Sequence, residues 1–275
     1  PAEVIAMVTR APSFRAAASR GRGWRWALLG ALIGTLATLT LFAPARWLAT
    51  LLRDQSAGRL LLINPRGTVW NGASGVVFAS GAGGANAISL PGSLAWKLRP
   101  TWNGLTASLD LSCCTSKPIA LRASPGVKGL QLRFLDGQSR WPAALLAGFG
   151  APFNTLKPEG VLDLSTQGLE LRLEREQLAF QGRATLDATD ISSSLSTLRP
   201  MGSYRVVLEG GNAPSLLLTT SEGSSLRLSG SGRWTGTRLR FSGEASAAPG
   251  REDALSNLLN IIGRRDGARS IINLG

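Results

Sequence analysis

Apolar residues recur at every second position over most of this chain. The alternation is clearest in five segments, residues 105–111, 130–134, 169–174, 204–208 and 238–242, where apolar residues alternate with mostly polar ones. Successive side chains of a strand point to opposite faces, so a period of two predicts strands with one apolar and one polar face. Short links rich in Gly, Asn, Pro and Ser separate the segments, as in antiparallel hairpins. The sequence therefore predicts about a dozen antiparallel strands.

Such strands have to cover their apolar faces. A chain of 275 residues can do so in one domain, either by stacking two sheets or by curving a single sheet. We therefore expect a mainly β fold, an antiparallel sandwich or open curved sheet over residues 48–275. A short helical segment is predicted after Trp141, and a last strand within residues 268–275. Eight aromatic side chains are expected to fill the interior: Trp96, Trp102, Trp141, Phe149, Phe153, Phe180, Trp234 and Phe241.

An uncharged apolar run, residues 26–43, precedes the alternating part. About 18 residues of helix are about 27 Å long, close to the hydrocarbon thickness of a bilayer. A cleaved signal peptide has a shorter apolar run of about 7–15 residues, although residues 43–45 have the small-x-small form that a signal peptidase accepts. The length favours an uncut transmembrane anchor helix, which we predict over residues 26–47.

The charges around this run predict its orientation. Five arginines and one acid, Glu3, precede it, whereas Arg46 and Arg53 follow it, the latter beside Asp54. Because basic residues stay on the cytoplasmic side, residues 1–25 are predicted to be a cytoplasmic basic tail. Residues 48–275 are then exported. In a bacterium, this topology is that of a single-pass inner-membrane protein with a periplasmic carboxyl-terminal domain.

The anchor contains a pair of small residues at helical spacing. Gly30 and Gly34 are four residues apart and therefore lie on the same face of a helix. Such a pair lets a second helix approach closely in a membrane. We take these two glycines as candidate helix-packing residues.

The composition excludes most common enzyme designs. The chain has no histidine, which removes Ser/His/Asp and Cys/His catalysis and histidine-ligated metals. It has no Gly-x-x-x-x-Gly-Lys-Ser/Thr nucleotide loop, and its carboxylates are scattered singly along polar strand faces. We therefore predict no catalytic, metal-binding or cofactor-binding residues and no enzyme activity.

The net charge is strongly positive but does not point to nucleic acid. The formal charge of +13 comes from 30 basic and 17 acidic residues, and arginines that flank the apolar run supply part of the excess. No dense basic run is present, so we predict no nucleic-acid partner. A mildly positive exported domain suits acidic protein surfaces or anionic lipid instead.

The two cysteines are adjacent in the sequence. Cys113 and Cys114 cannot form the C-x-x-C redox spacing or a thiolate metal cage. Two alternatives remain, a vicinal disulfide at a turn or a reduced pair in a strand with its side chains on opposite faces. From the sequence alone we favour the reduced pair.

A second helix is predicted near the carboxyl terminus, in residues 251–263. Glu252 and Asp253 lie at its positive end, and Gly263 ends it. Its apolar stripe either packs against the β core, which we favour, or docks onto a partner or a membrane surface. The candidate partner-docking residues are Leu255, Leu258, Leu259, Ile262, Arg264 and Arg265.

The chain resembles the type II secretion system protein N family of Gram-negative bacteria. The resemblance lies in a short basic tail and one anchor followed by RGTVWNG at residues 66–72, and in three carboxyl-terminal segments, LSTLRPMGSYRV, GRWTGTRLRFSGEASA and ALSNLLNIIGRRDGARSIINLG. It implies an accessory inner-membrane component that takes part in the export of folded exoproteins across the outer membrane. The implied partners are other secretion subunits, namely the inner-membrane platform and the secretin, together with inner-membrane lipid.

A function of a different class remains open. An anchored, alternating β chain can leave its sheet open as a trough whose apolar face holds acyl chains. The alternative function is therefore a periplasmic carrier of lipid or another hydrophobic ligand with an open β groove. The alternation does not distinguish such a groove from a closed sandwich.

Overall fold

The computed structural model describes residues 23–79, 87–126, 129–150, 152–174, 177–235 and 238–275. Most of the predicted cytoplasmic tail, residues 1–22, lies outside these ranges. The chain divides into two compact units, Pro1–Phe42 and Ala43–Gly275.

The first unit contains helix α1, Gly23–Leu41. Residues Trp24–Leu41 form a candidate membrane span by length and composition, with a mean hydropathy of 1.3. The helix ends six residues before the boundary predicted at Trp47. Pro44 explains this end, because proline has no N–H to donate to the preceding helical turn and disfavours a helical conformation at the residue before it.

The second unit begins with helix α2, Ala45–Gln55, whose first three residues fall within the predicted anchor of residues 26–47. Pro44 lies at its N-cap in an extended conformation, with φ −69° and ψ 145°. Ala45 is buried, and Leu48 and Leu52 pack beside it against the sheet, while Trp47 is 50 % exposed. A helix with one apolar face fits the surface of a β domain rather than the interior of a bilayer.

Sixteen strands follow in the described residues, with helix α3, Phe153–Leu156, and helix α4, Glu252–Ile262, between them. The predicted helical segment after Trp141 is a 3-10 helix, Ala143–Phe149. The strands are β1 Leu60–Gly67, β2 Asn71–Phe78, β3 Ile88–Ser89, β4 Leu94–Thr101, β5 Gly104–Leu111, β6 Ile119–Gly126, β7 Gly129–Phe134, β8 Gly137–Pro142, β9 Pro158–Glu174, β10 Gln177–Ser193, β11 Gly202–Glu209, β12 Ser215–Thr220, β13 Leu226–Thr235, β14 Arg238–Ala247, β15 Arg264–Asp266 and β16 Arg269–Leu274.

These strands form one antiparallel sheet. The strand order is β1-β2-β4-β5-β6-β7-β9-β10-β11-β12-β13-β14-β16-β15, with β3 beside β2 and β8 beside β9. Neighbours in the sheet are mostly neighbours in the chain, as expected of a meander of hairpins. Among the described residues, the two end strands, β1 and β15, do not pair with each other. The prediction of a mainly antiparallel β fold is therefore confirmed, and its open-sheet alternative holds rather than the stacked sandwich.

The register separates an apolar face from a polar face along the whole sheet. Trp96 on β4 lies directly opposite Leu109 on β5, which lies opposite Ile119 on β6. The residues one position along, Lys97 and Ser108, form the adjacent row on the other face. Because side chains alternate along each strand, the predicted period of two becomes two continuous surfaces.

The apolar face carries two separate clusters of buried residues. The first lies under α2 and the 3-10 helix and centres on Trp96, which is 2 % exposed. The second lies under α4 and centres on Leu255, Leu258 and Leu259. A helix therefore covers each end of the apolar face.

The sheet curls toward its apolar face between β10 and β13. Phe180 on β10 and Trp234 on β13 are three strands apart, a separation of about 14 Å in a flat sheet. Their rings nevertheless meet edge to face, with centroids 5.3 Å apart. The apolar face is therefore concave in this region.

The expectation that eight aromatic side chains fill the interior is only partly correct. Trp96, Phe180 and Phe241 are buried. Trp102 is fully exposed at the tip of the β4–β5 hairpin, and Phe149 is 69 % exposed at the end of the 3-10 helix. Residue type alone did not distinguish a strand position from a hairpin tip.

Candidate interaction surfaces

In the described part of the chain, no helix covers the middle of the apolar face. We call this region the mid-sheet surface, and we define it by Leu121, Leu130, Leu132, Leu171, Leu208 and Leu216. These residues belong to neither buried cluster. Leu130 is 43 % exposed and the others are half-buried. The described part of the chain therefore leaves an apolar strip on the apolar face of the sheet, between its two covered ends.

The polar face carries a cluster of charges around Glu170 on β9. The Glu170 carboxylate accepts hydrogen bonds from Gln131 Nε2 at 2.5 Å, Arg133 Nη2 at 3.0 Å and Arg172 Nε at 2.7 Å. Arg133 lies directly opposite Glu170 on β7, and Gln131 lies opposite Arg172. Glu170 is only 7 % exposed because these partners cover it at the sheet surface.

The pKa of Glu170 reflects two opposing effects. Burial raises it, but hydrogen bonds from Arg133, Arg172 and Gln131 and the positive charge of Arg172 lower it below its ordinary value. A lowered pKa in the folded state means that ionised Glu170 stabilises the fold. This stabilisation is complete above the ordinary pKa of 4.5 and is lost as the pH falls through the lowered value.

Glu170→Gln is therefore expected to lower the free energy of unfolding by about 1–3 kcal/mol near neutral pH. The loss should shrink below about pH 4 because the wild-type carboxylate also becomes neutral there. Urea denaturation of both proteins across this pH range measures the effect.

Asp163→Asn is the matched control. Asp163 lies on a more exposed part of the same strand, where its Oδ1 is 2.7 Å from Arg140 Nε. This ion pair should contribute less than about 1 kcal/mol to the free energy of unfolding. Equal losses for the two variants, or a Glu170→Gln loss that does not change with pH, would contradict the role assigned to Glu170.

The predicted docking residues near the carboxyl terminus occupy two different environments. Leu255, Leu258 and Leu259 are at most 1 % exposed, and Ile262 packs beside them. Ser270 Oγ on β16 donates a hydrogen bond to the Leu259 carbonyl and helps hold α4 on the sheet. A partner could reach these leucines only if α4 left the sheet.

Arg264 and Arg265 are accessible without any rearrangement. They lie on β15, the end strand of the sheet, and all three residues of that strand are exposed. Neither arginine has an ion-pair partner among the described residues. An exposed edge strand with unpaired cations suits contact with an acidic protein surface.

The glycine pair in α1 has free space around it within the described part of the chain. A Cβ added at Gly30 or Gly34 would meet no atom within 4 Å. Thr38 lies four residues further along the same face, and its hydroxyl donates to the Gly34 carbonyl at 2.8 Å. Helix packing at this face stays a prediction.

The adjacent cysteines lie in the turn between β5 and β6. Cys113 and Cys114 are joined by a disulfide, and Cys114 is buried in the cluster around Trp96. The carbonyl of Cys114 also accepts a hydrogen bond from the Arg140 N–H at 2.8 Å. The structure therefore has the turn disulfide rather than the reduced pair that we favoured, because these residues lie just beyond the end of β5.

The described residues contain no group of three or more His, Cys, Asp or Glu side chains that could hold a metal ion. Several carboxylates on the polar face instead pair with an arginine, as Asp187 does with Arg205 on the neighbouring strand.

Comparison with known proteins identifies the family. A model of the type II secretion system (T2SS) protein N family matches residues 58–272, which include strands β1–β15, α4 and most of β16. Comparisons with curated proteins and with solved structures give no match. A match over this much of the chain shows that the protein belongs to the type II secretion system protein N family.

Proposed function

We propose that this protein is an accessory inner-membrane component of the type II secretion system that acts by binding other subunits during export of folded exoproteins. The family match over residues 58–272 carries this proposal. The proposed partners are the inner-membrane platform and the secretin. Neither binding nor positioning requires a catalytic site, and the family is one of secretion accessory components.

The proposed topology is a single pass with the amino terminus in the cytoplasm and the second unit in the periplasm. The length and composition of α1 support an anchor. The arginines before α1 support this orientation because basic residues are retained on the cytoplasmic side. The β domain would then lie in the same compartment as the periplasmic parts of the platform and the secretin.

Within this domain, we assign partner contact first to the carboxyl-terminal segment, residues 251–275. Arg264 and Arg265 support the assignment because they are exposed on an end strand. The buried leucines of α4 would act indirectly, by holding that strand in place.

The test compares secretion in three backgrounds. Deleting the gene should lower the amount of a type II substrate in the medium while the substrate still folds in the periplasm. Wild-type protein should restore secretion, and a variant with Arg264→Glu and Arg265→Glu should not. Arg227→Glu is the matched control, because Arg227 is an exposed arginine on β13 that is also without an ion-pair partner in the described residues.

Two results would contradict the proposal at different levels. Normal secretion in the deletion strain would exclude the accessory role. Full restoration by the double variant would exclude the arginine contact but keep the role. Cross-linking in cells should recover platform or secretin subunits with the wild-type protein and less of them with the double variant.

The mid-sheet surface favours one alternative function. An apolar strip without a covering helix, part of which lies where the sheet curves between β10 and β13, could hold an acyl chain, as in a periplasmic carrier of lipid or another hydrophobic ligand. Lipid extraction and mass spectrometry of the purified protein distinguish the two functions. Phospholipid bound in fixed proportion, together with normal secretion in the deletion strain, would support the carrier.

A further inference from the structure

The turn between β1 and β2 contacts the first residues of the second unit. α1 ends at Leu41, two residues before Ala43. The Ala43 carbonyl accepts a hydrogen bond from Val69 N–H at 2.8 Å, and Pro44 bridges to Thr68 in the turn between β1 and β2. α2 leads away from this turn, and β1 returns to it. The β1–β2 turn therefore contacts residues that follow the end of α1 by two and three positions in the chain.

The β4–β5 hairpin points toward the same end of the sheet. β4 pairs antiparallel to β2, and Leu98 N–H donates to the Trp70 carbonyl at 2.7 Å beside the β1–β2 turn. β4 then continues past this turn for four residues to Trp102. At about 3.3 Å per residue, the hairpin tip projects about 13 Å beyond the turn.

Trp102 is fully exposed at this tip, with a relative accessibility of 107 %. The tip is ordered by the Thr101–Gly104 pair and by a hydrogen bond of 3.2 Å from Thr106 Oγ1 to the Arg99 carbonyl. Gly104 lies so close to the Ala123 carbonyl that a Cβ would not fit. A tryptophan held out in this way buries no surface in the fold, and its amphipathic ring suits the headgroup level of a bilayer.

Cations accompany Trp102 on the polar face. Arg99 and Arg122 lie on either side of Thr106, and with Lys97 they line a cavity of about 340 Å³. All three side chains are exposed, and none has an ion-pair partner within the described residues. Unpaired arginines and lysines beside an exposed aromatic ring favour an anionic surface.

The start of α2 repeats this combination at the same end. Arg46 is exposed and Trp47 is 50 % exposed in the first helical turn after Pro44. The sequence separates this pair from Trp102 by more than fifty residues, and the sheet brings both to one end.

We propose that the β4–β5 hairpin tip, with Trp102 and the cations Arg99 and Arg122, is a contact site for the anionic phospholipid surface of the membrane that α1 spans. The inference rests on the proposed anchor but goes beyond the secretion role. It gives the periplasmic domain a second attachment to the bilayer and so restricts the angle at which its other surfaces meet a partner.

The test places a photo-cross-linker at the tip. The full chain is incorporated into phosphatidylcholine nanodiscs with and without phosphatidylglycerol, with Trp102 replaced by benzoylphenylalanine. A matched variant carries the same replacement at Lys117, an exposed residue in the turn at the opposite end of β5, about 27 Å away along the strand. Lipid adducts are quantified by mass spectrometry after irradiation.

The expected result is several-fold more lipid adduct at position 102 than at position 117. The yield should fall in pure phosphatidylcholine and when Arg99→Gln and Arg122→Gln are added. Equal yields at the two positions, or none at position 102 in chains that have incorporated, would overturn the contact but leave the anchor and the secretion role intact. A chain that does not enter nanodiscs would overturn the anchor and the contact together. No secretion subunit is present, so the result does not depend on the proposed partners.

Discussion

Trp96→Ala is expected to lower the free energy of unfolding by about 3–5 kcal/mol, because it removes the largest buried side chain of the cluster under α2. The substitution also leaves the Val69 carbonyl without the indole N–H, which donates to it at 3.0 Å. Gly72, which has no side chain, lies directly against the indole ring. The thermal midpoint of the full chain in detergent, followed by circular dichroism, should fall by about 10 °C.

Trp102→Ala is the matched control for this effect. The same change at the exposed hairpin tip should alter the free energy of unfolding by no more than about 0.5 kcal/mol. Similar losses at the two positions would show that the sheet does not bury Trp96 and expose Trp102 as described. Because Trp102→Ala leaves the fold intact, it also reports on lipid contact without a loss of stability.

Leu258→Ala, in the cluster under α4, should lower the free energy of unfolding by about 2–5 kcal/mol. Leu258 is 1 % exposed in the cluster under α4, where Leu255, Leu259 and Tyr204 surround the same interior. The loss of side-chain contacts should loosen α4 and, with it, β15, which follows Gly263 directly. Hydrogen exchange of amides in residues 252–262 measures this local loosening, and urea denaturation measures the overall loss.

Ile261→Ala is the control on the same helix. Because Ile261 is 39 % exposed, its replacement by alanine should lower the free energy of unfolding by less than about 1 kcal/mol. A comparable loss at both positions would mean that α4 does not turn the Leu258 face toward the sheet. If Leu258→Ala also weakens secretion while Ile261→Ala does not, the position of β15 matters for partner binding.

Local patterns predicted much of the secondary structure. The period of two around Leu105 to Leu111 became β5, and the segment after Trp141 became a 3-10 helix. The alternation also predicted which residues share a face, because side-chain direction along a strand depends only on position. The apolar run of residues 26–43 does not show that a second helix, α2, begins directly after Pro44.

Fewer features of the candidate surfaces can be predicted from the sequence. The sequence pattern shows the apolar stripe of α4, yet its leucines contact the sheet whereas Arg264 and Arg265 are exposed. The cluster at Glu170 depends on Arg133, which is 37 residues away in the chain and comes into range only through the β7–β9 pairing.

The amino-acid sequence by itself determined the apolar helix, the antiparallel strands and the two-faced character of the sheet, because each depends on residues a few positions apart. The tertiary structure decided which parts of the apolar face are covered, which aromatic rings are buried and which end of the sheet carries Trp102. These features depend on strand order and on curvature such as that between Phe180 and Trp234. Strand pairing brings together residues that are far apart in the chain, and burial is settled only by that pairing, so a local pattern cannot distinguish Trp96 from Trp102.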